Sequence, residues 1–306
     1  MTAGSRLVTR PRHDETLFSA AARAWRYLGS PASGLMNGAL FGRNVSVIDS
    51  DLPVSVHRIA ASGIFGPADL HHAIHEWTAF PYYAHFVSLA RADVAVAAIG
   101  GAGRWPHEVL GSWSATVPPP DHLRFCLECR EDMLEQHPDL WWRRAHQLPS
   151  ALVCPDHGEL LHLSTVDRRT RQAGYVPASL EVCPTDAPRV VESDNPRVRG
   201  DLVTLARVSD SLLDRDCEVH PDDRRMEYLR RLHLINLLNR AGEADLGKLA
   251  RALDCYWGET LDLWPGLRRD GRCMQRWLGA LLWGEHGSPP LHHLLLEAML
   301  AARVRW

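Results

Sequence analysis

Residues 126–157 read CLECREDMLEQHPDLWWRRAHQLPSALVCPDH. Two pairs of metal-capable side chains bracket this window: Cys126 and Cys129 as C-x-x-C, and Cys154 and His157 as C-x-x-H, with 24 residues between the pairs. A two-residue gap lets both side chains of a pair turn toward one ion, and three thiolates with one imidazole complete a tetrahedral Zn2+ site. The protein then fills all four positions and leaves none for a reacting water, so the expected zinc is structural. The thiolates must be deprotonated and the site assembles only in the fold, so metal binding contributes folding free energy directly. Pro155 and Gly158 in "VCPDHG" suit a tight knuckle. A redox C-x-x-C is the competing reading, and the matching second pair argues against it.

Trp141, Trp142, Arg143, Arg144 and His146 lie between the pairs. A module this small has little core of its own, so the tryptophans are expected to pack it. Arg143 and Arg144 are expected to face either phosphate or an acidic partner. Elsewhere, Cys217 and His220 repeat the C-x-x-H spacing with Cys183 upstream, three potential ligands without a fourth. Cys255 and Cys273 sit in apolar helical patterns and read as core.

Outside the module the periodicity is helical. "DETLFSAAARAWRYLG" carries Leu17, Phe18, Ala21, Ala22, Trp25 and Leu28 on one face, with Asp14 as a candidate N-cap and Gly29 as a stop. In "SPASGLMNGALFG", Ser30 can cap, Pro31 suits the first helical position and Gly42 closes the segment. The two pieces form a candidate helix-turn-helix. Short helices are expected over 49–87, where His71, His72, His75 and His85 read as surface or core histidines. Residues 88–120 carry little signal, and "VPPP" marks a boundary. "DRRTRQ" and "ESDNPRVRG" read as a connector. Five apolar helical faces follow, in "DLVTLARVSDSLLDRD", "DRRMEYLRRLHLINLLNRAG", "EADLGKLARALDCYWG", "GRCMQRWLGALLWG" and "PPLHHLLLEAMLAARV". The expected fold is mainly α. Residues 1–118 form an N-terminal helical domain of helix-turn-helix type, 119–166 a zinc-finger module, 167–200 a connector and 201–306 a C-terminal helical domain.

Composition bounds the function. With 45% hydrophobic and 23% charged residues, the 306-residue chain can bury a core. A formal net charge of −3 argues against a globally basic nucleic-acid coat but leaves room for local basic patches. Lys248 is the only lysine; the arginine bias reflects either genomic base composition or a use for bidentate contacts. The start lacks the apolar segment of a signal peptide, and no apolar run approaches the roughly 20 residues of a membrane helix, so a cytoplasmic location is expected. No G-x-S-x-G, H-E-x-x-H or zinc-deaminase signature is present, and "GGAG" lacks the ending of a phosphate-binding loop. The chain reads as a non-enzyme.

"LRFCLEC…WWRRAHQLPSALVCPDHGELL" resembles the zinc-finger signature of the TniQ/TnsD family of bacterial transposon target-selection proteins. "RHDETLFSAAARAWRYLG", "DLP" at 51–53, "HEWTAFPYYAHFV" at 75–87 and "PPLHHLLLEAML" resemble further family segments. Leu127, His13 and Pro290 depart from the family pattern without removing a metal ligand. The resemblance implies an adaptor that links target recognition to the transposition machinery. The implied partners are target DNA and an AAA+ ATPase regulator, with association to the bacterial nucleoid; a homodimer is compatible with it. In some members a CRISPR RNA-guided effector complex replaces DNA as the docking partner, and the acidic balance favours that alternative. A zinc-dependent enzyme is a third reading, which needs an open coordination position. Candidate contacts to nucleic acid or a partner are Arg143, Arg144, Arg168 and Arg169, with Arg171, Arg224, Arg225, Arg268 and Arg269 as further clusters.

Overall fold

A computed structural model describes residues 9–29, 38, 49–112, 114–168, 174–215, 221–268, 270, 272–284 and 287–303. Helix α1 (Leu17–Tyr27) begins where the Thr16 hydroxyl accepts from the Ser19 amide at 3.1 Å, which satisfies one of the open donors of the first turn. Its buried side is mostly alanine, with Leu17 and Phe18 at the start. The second helix of the expected helix-turn-helix falls outside the described residues except for Gly38.

Five short helices follow: α2 (Val56–Ser62), α3 (Leu70–Trp77), α4 (Phe80–Ala84), α5 (Leu89–Gly100) and α6 (Pro106–Leu110). Asp69 caps α3 by accepting from the His72 amide at 2.7 Å, and Ser88 caps α5. Residues 88–120, nearly silent in the sequence, thus contain two helices. The reason is α5 itself: LARADVAVAAIG is apolar nearly all round, so no amphipathic contrast marks the face that buries Ala92, Ala95, Ala98 and Ile99.

The module that follows is built on a two-stranded antiparallel ribbon, β1 (His122–Phe125) with β2 (His162–Asp167), bulged between His122 and Arg124. The strands were not expected. Between them run α7 (Leu127–Gln136) and the single turn α8 (Arg144–Gln147). The Gln147 amide accepts from Arg124 N and donates to Arg124 O, both at 3.0 Å, so one side chain substitutes for a neighbouring strand. The expected connector packs onto this module: Tyr175, Ala178 and Cys183 are buried. Trp142 Nε1 donates to Val176 O at 3.0 Å and Arg130 to Cys183 O at 2.7 Å.

The C-terminal part comprises α9 (Pro196–Ser211), α10 (Pro221–Leu234), α11 (Leu246–Trp257), two 3-10 turns (Gly258–Leu263 and Pro265–Arg268), α12 (Cys273–Trp283) and α13 (Pro290–Arg303). Each expected apolar face lies in a helix, and α9 starts five residues ahead of residue 201, at the Asn195-Pro196 cap. The described residues are mainly helical, and none of their helices is long and apolar enough to cross a membrane.

A single cluster of buried side chains runs from Leu17 to Leu300. At its centre, Tyr82 donates to Ser150 Oγ at 2.9 Å, and Ser150 Oγ lies 2.7 Å from Ser209 Oγ. These three buried hydroxyls tie α4, the module and α9 together. Trp264 Nε1 adds a bond to Pro149 O at 3.0 Å. The module is thereby held on two sides, by the N-terminal helices and by the C-terminal ones.

Candidate metal centre

Cys126 is the N-cap residue of α7 and Cys129 its third residue. Both thiols therefore sit at the positive end of the helix, which favours their ionised form. Cys154 and His157 belong to a knuckle that closes a tight hairpin. Cys154 N donates to Glu159 O at 2.8 Å, Gly158 N to Cys154 O at 2.9 Å, and Leu161 N to Leu152 O at 3.0 Å. Gly158 has φ +69, a left-handed conformation that glycine adopts without penalty.

The four side chains converge. Their ligand atoms all lie within 4.8 Å of one another. His157 Nδ1 is 3.6 Å from Cys126 Sγ, 3.4 Å from Cys129 Sγ and 3.5 Å from Cys154 Sγ, and the Cys129 and Cys154 sulfurs are 3.5 Å apart. A zinc tetrahedron with bonds of about 2.3 Å to sulfur and about 2.05 Å to nitrogen has edges of about 3.8 and 3.6 Å. The observed separations are those of tetrahedron edges and too long for a disulfide. The donor set is soft, three sulfurs and one imidazole, and all three sulfurs are buried. The cluster can hold a metal ion.

The electrostatics agree. A hydrogen bond from Cys129 lowers the Cys126 pKa, but one with Cys154 and burial outweigh it, taking the thiol up to about 12. Contacts with Cys126 and Cys154, then burial, push Cys129 up, while hydrogen bonds from Cys126 and Cys129 hold Cys154 well down. Three sulfurs in contact resist carrying three negative charges among themselves; a divalent cation between them removes that opposition.

An outer layer orients the ligands. His157 presents Nδ1 to the sulfurs and places Nε2 3.2 Å from Asp132 Oδ2, the carboxylate–imidazole arrangement that fixes a metal-binding tautomer. Arg143 donates to Cys129 Sγ at 3.1 Å and, through Nε, to Asp14 Oδ2 at 2.8 Å; it also pairs with Asp156. Burial works against its charge, but Asp14 and Cys129 hold its pKa well up. His146, buried, lies 3.9 Å from Cys129 Sγ.

The same residues fasten α1 to the module. Arg144 N donates to Asp14 O at 2.7 Å, Thr16 N to Trp142 O at 2.9 Å, and Trp142 N to Ser19 Oγ at 2.9 Å. Asp14 occupies φ +55 to make these contacts. Glu15, fully buried, pairs with Arg23 at 2.7 Å and accepts from Ser19 Oγ at 2.7 Å.

A second polar cluster was missed in the sequence. His107 Nε2 lies 3.2 Å from Asp51 Oδ1, and Tyr83 donates to Asp51 Oδ2 at 3.2 Å. Arg168 reaches Asp49 at 3.2 Å and Asp51 at 3.3 Å. Burial opposes the Asp51 charge, but His107 and Arg168 hold its pKa well down. The ligand atoms of Asp49, Asp51 and His107 are close enough for a cation, yet Arg168 and His107 already balance the carboxylates. The network pins the "DLP" segment to the end of β2.

These positions revise the expected contact residues. Arg144 is 2% exposed and donates to His75 O at 2.7 Å and Thr78 O at 3.2 Å, so it has no face to offer a phosphate. Arg143 and Arg168 are 14% and 12% exposed and engaged inside the fold. Arg224 is bonded to Glu297 and His85 O, and Arg268 to Asp254 and Asp262. Arg169, Arg171, Arg269, Cys217 and His220 lie outside the described residues, and Cys183 is buried with its carbonyl on Arg130.

A family model described as TniQ matches residues 6–161, just over half the chain. The transposon Tn7 transposition protein TnsD of Escherichia coli is 28% identical over 156 residues, which cover 49% of this chain and 30% of TnsD. The matched region thus spans under a third of that relative. The family-model match ends on the hairpin that carries Cys154 and His157, so the cluster and its Asp14 partner lie inside it.

Proposed function

The chain belongs to the TniQ family, and from that premise we propose that it is a non-enzymatic target-selection adaptor for DNA transposition, with a structural Zn2+ at Cys126, Cys129, Cys154 and His157. One observation carries this reading: the opening helix and the cysteine module, two segments that resemble the family, meet at the metal cluster through Asp14 and Arg143. Asp14, Thr16 and Ser19 bind the Trp142–Arg144 stretch, and Asp51 binds His107 and Arg168. The metal thus staples a recognition scaffold. With four protein ligands, the ion would polarise no substrate. The adaptor contacts target DNA and recruits an AAA+ ATPase regulator.

A second reading replaces DNA with a CRISPR RNA-guided effector complex. The internal engagement of Arg143, Arg144 and Arg168 favours it, because these cations are withdrawn from any phosphate. Duplex DNA binding under salt titration separates the two. A steep fall in affinity with salt supports DNA contact, and no binding at low salt supports the effector-docked form.

A further inference from the structure

Beside the metal cluster lies an open cleft of about 580 Å³ whose lining includes Arg12, His13, His137 and Trp141. Asp14, Asp132 and Asp156 line it as well, and each is already engaged: Asp132 against His157 Nε2, Asp14 and Asp156 against Arg143. Arg12 is different. Among the described residues its guanidinium enters no ion pair; it rests 5.9 Å from the centre of the Trp141 ring. Its Nε has no hydrogen-bond acceptor, and neither has Trp141 Nε1. Two shielded donors on neighbouring side chains, both without acceptors, are costly to keep and mark a place for a group that accepts.

We propose that this cleft is a phosphate-binding subsite for the backbone of nucleic acid. An oxyanion seated at Arg12 and Trp141 gives both orphaned donors an acceptor after a small adjustment. Charge spacing selects a polyanion over a single carboxylate: exposed Arg10 precedes Arg12 on an irregular segment, and His13 and His137 add two groups able to carry charge. Two arginines two residues apart, Arg12 in the cleft and Arg10 exposed ahead of it, suit successive phosphates of a phosphodiester chain. The inference rests on the DNA-contact form of the adaptor reading and names where that contact is made.

The test uses the full chain with labelled indole nitrogens, the Trp141 signal being assigned by Trp141→Phe. Short duplex DNA at low salt is expected to bind and to move the Trp141 N–H resonance. Arg12 enters no ion pair among the described residues, so Arg12→Gln is expected to keep the metal and to lower the salt slope of binding by about 1. If duplex binds while the Trp141 signal and the Arg12→Gln slope stay unchanged, the subsite is wrong and DNA contact stands. If duplex does not bind at all, the subsite and the DNA-contact reading fall together. If a poly-glutamate peptide moves the signal and duplex does not, the cleft receives an acidic protein segment and the proposal is overturned.

Discussion

Arg143 Nε donates to Asp14 Oδ2 at 2.8 Å while another nitrogen of the same guanidinium donates to Cys129 Sγ at 3.1 Å. One side chain thus joins the segment leading into α1 to the metal cluster, across 129 residues of sequence. Asp14 is 5% exposed, and removing its carboxylate leaves Arg143 and Arg144 short of a counter-charge in a shielded place.

Asp14→Ala is therefore expected to destabilise the fold by about 3–5 kcal/mol, the range for breaking a buried ion pair from one side. Asp14→Asn keeps an acceptor for the Ala145 amide and tolerates the left-handed backbone, so its cost is smaller. Urea unfolding of the two variants checks the order; equal costs would remove the charge argument.

The Asp132 carboxylate holds His157 with Nδ1 toward the sulfurs. Asp132→Ala is expected to weaken metal binding by about tenfold, at the low end for outer-layer partners because Asp132 is 57% exposed. Competition with a coloured chelator measures this, and an unchanged affinity would show that the contact orients nothing.

Gly158 turns the knuckle at φ +69, and a Cβ there meets Val203 Cγ2 at 3.4 Å. Ordinary contact distance leaves backbone strain as the main cost. Gly158→Ala is expected to lose about 1–2 kcal/mol, read as a lowered unfolding midpoint, and a stabilised variant would contradict the assigned turn.

His292 is buried between Thr116, 2.9 Å from its Nε2, and the stacked Trp277 ring, and burial lowers its pKa to about 3. The folded form stays neutral where the unfolded chain, with a pKa near 6.5, takes up a proton. Its contribution is present above pH 6.5 and is lost as pH falls from there toward 3. Compared with His292→Gln, the native chain should therefore lose about 1.4 kcal/mol more per pH unit within that window. Parallel slopes from unfolding at several pH values would refute the assignment.

The four-residue cluster was legible because its chemistry is local: two residues between Cys126 and Cys129, and two between Cys154 and His157, fix their approach before any tertiary contact. The C-terminal helices were legible from their apolar faces. Arg143, Arg144 and Arg168 were not, because an arginine run reads as surface until its partners are known. Those partners, Asp14, Asp49 and Asp51, come from remote segments. The β1–β2 ribbon escaped for a related reason. Its strands are short, flank the metal window and depend on Gln147 and the knuckle for pairing.

The central claim is that a structural zinc staples this scaffold. Native mass spectrometry of the full chain and of Cys154→Ser, paired with hydrogen exchange over α1 and the module, tests it most directly. The expected result is one zinc per native chain. In the variant, the metal should be lost together with protection at Trp142–Arg144 and at the start of α1. A native chain that keeps full protection in both segments after its metal is stripped would contradict the account.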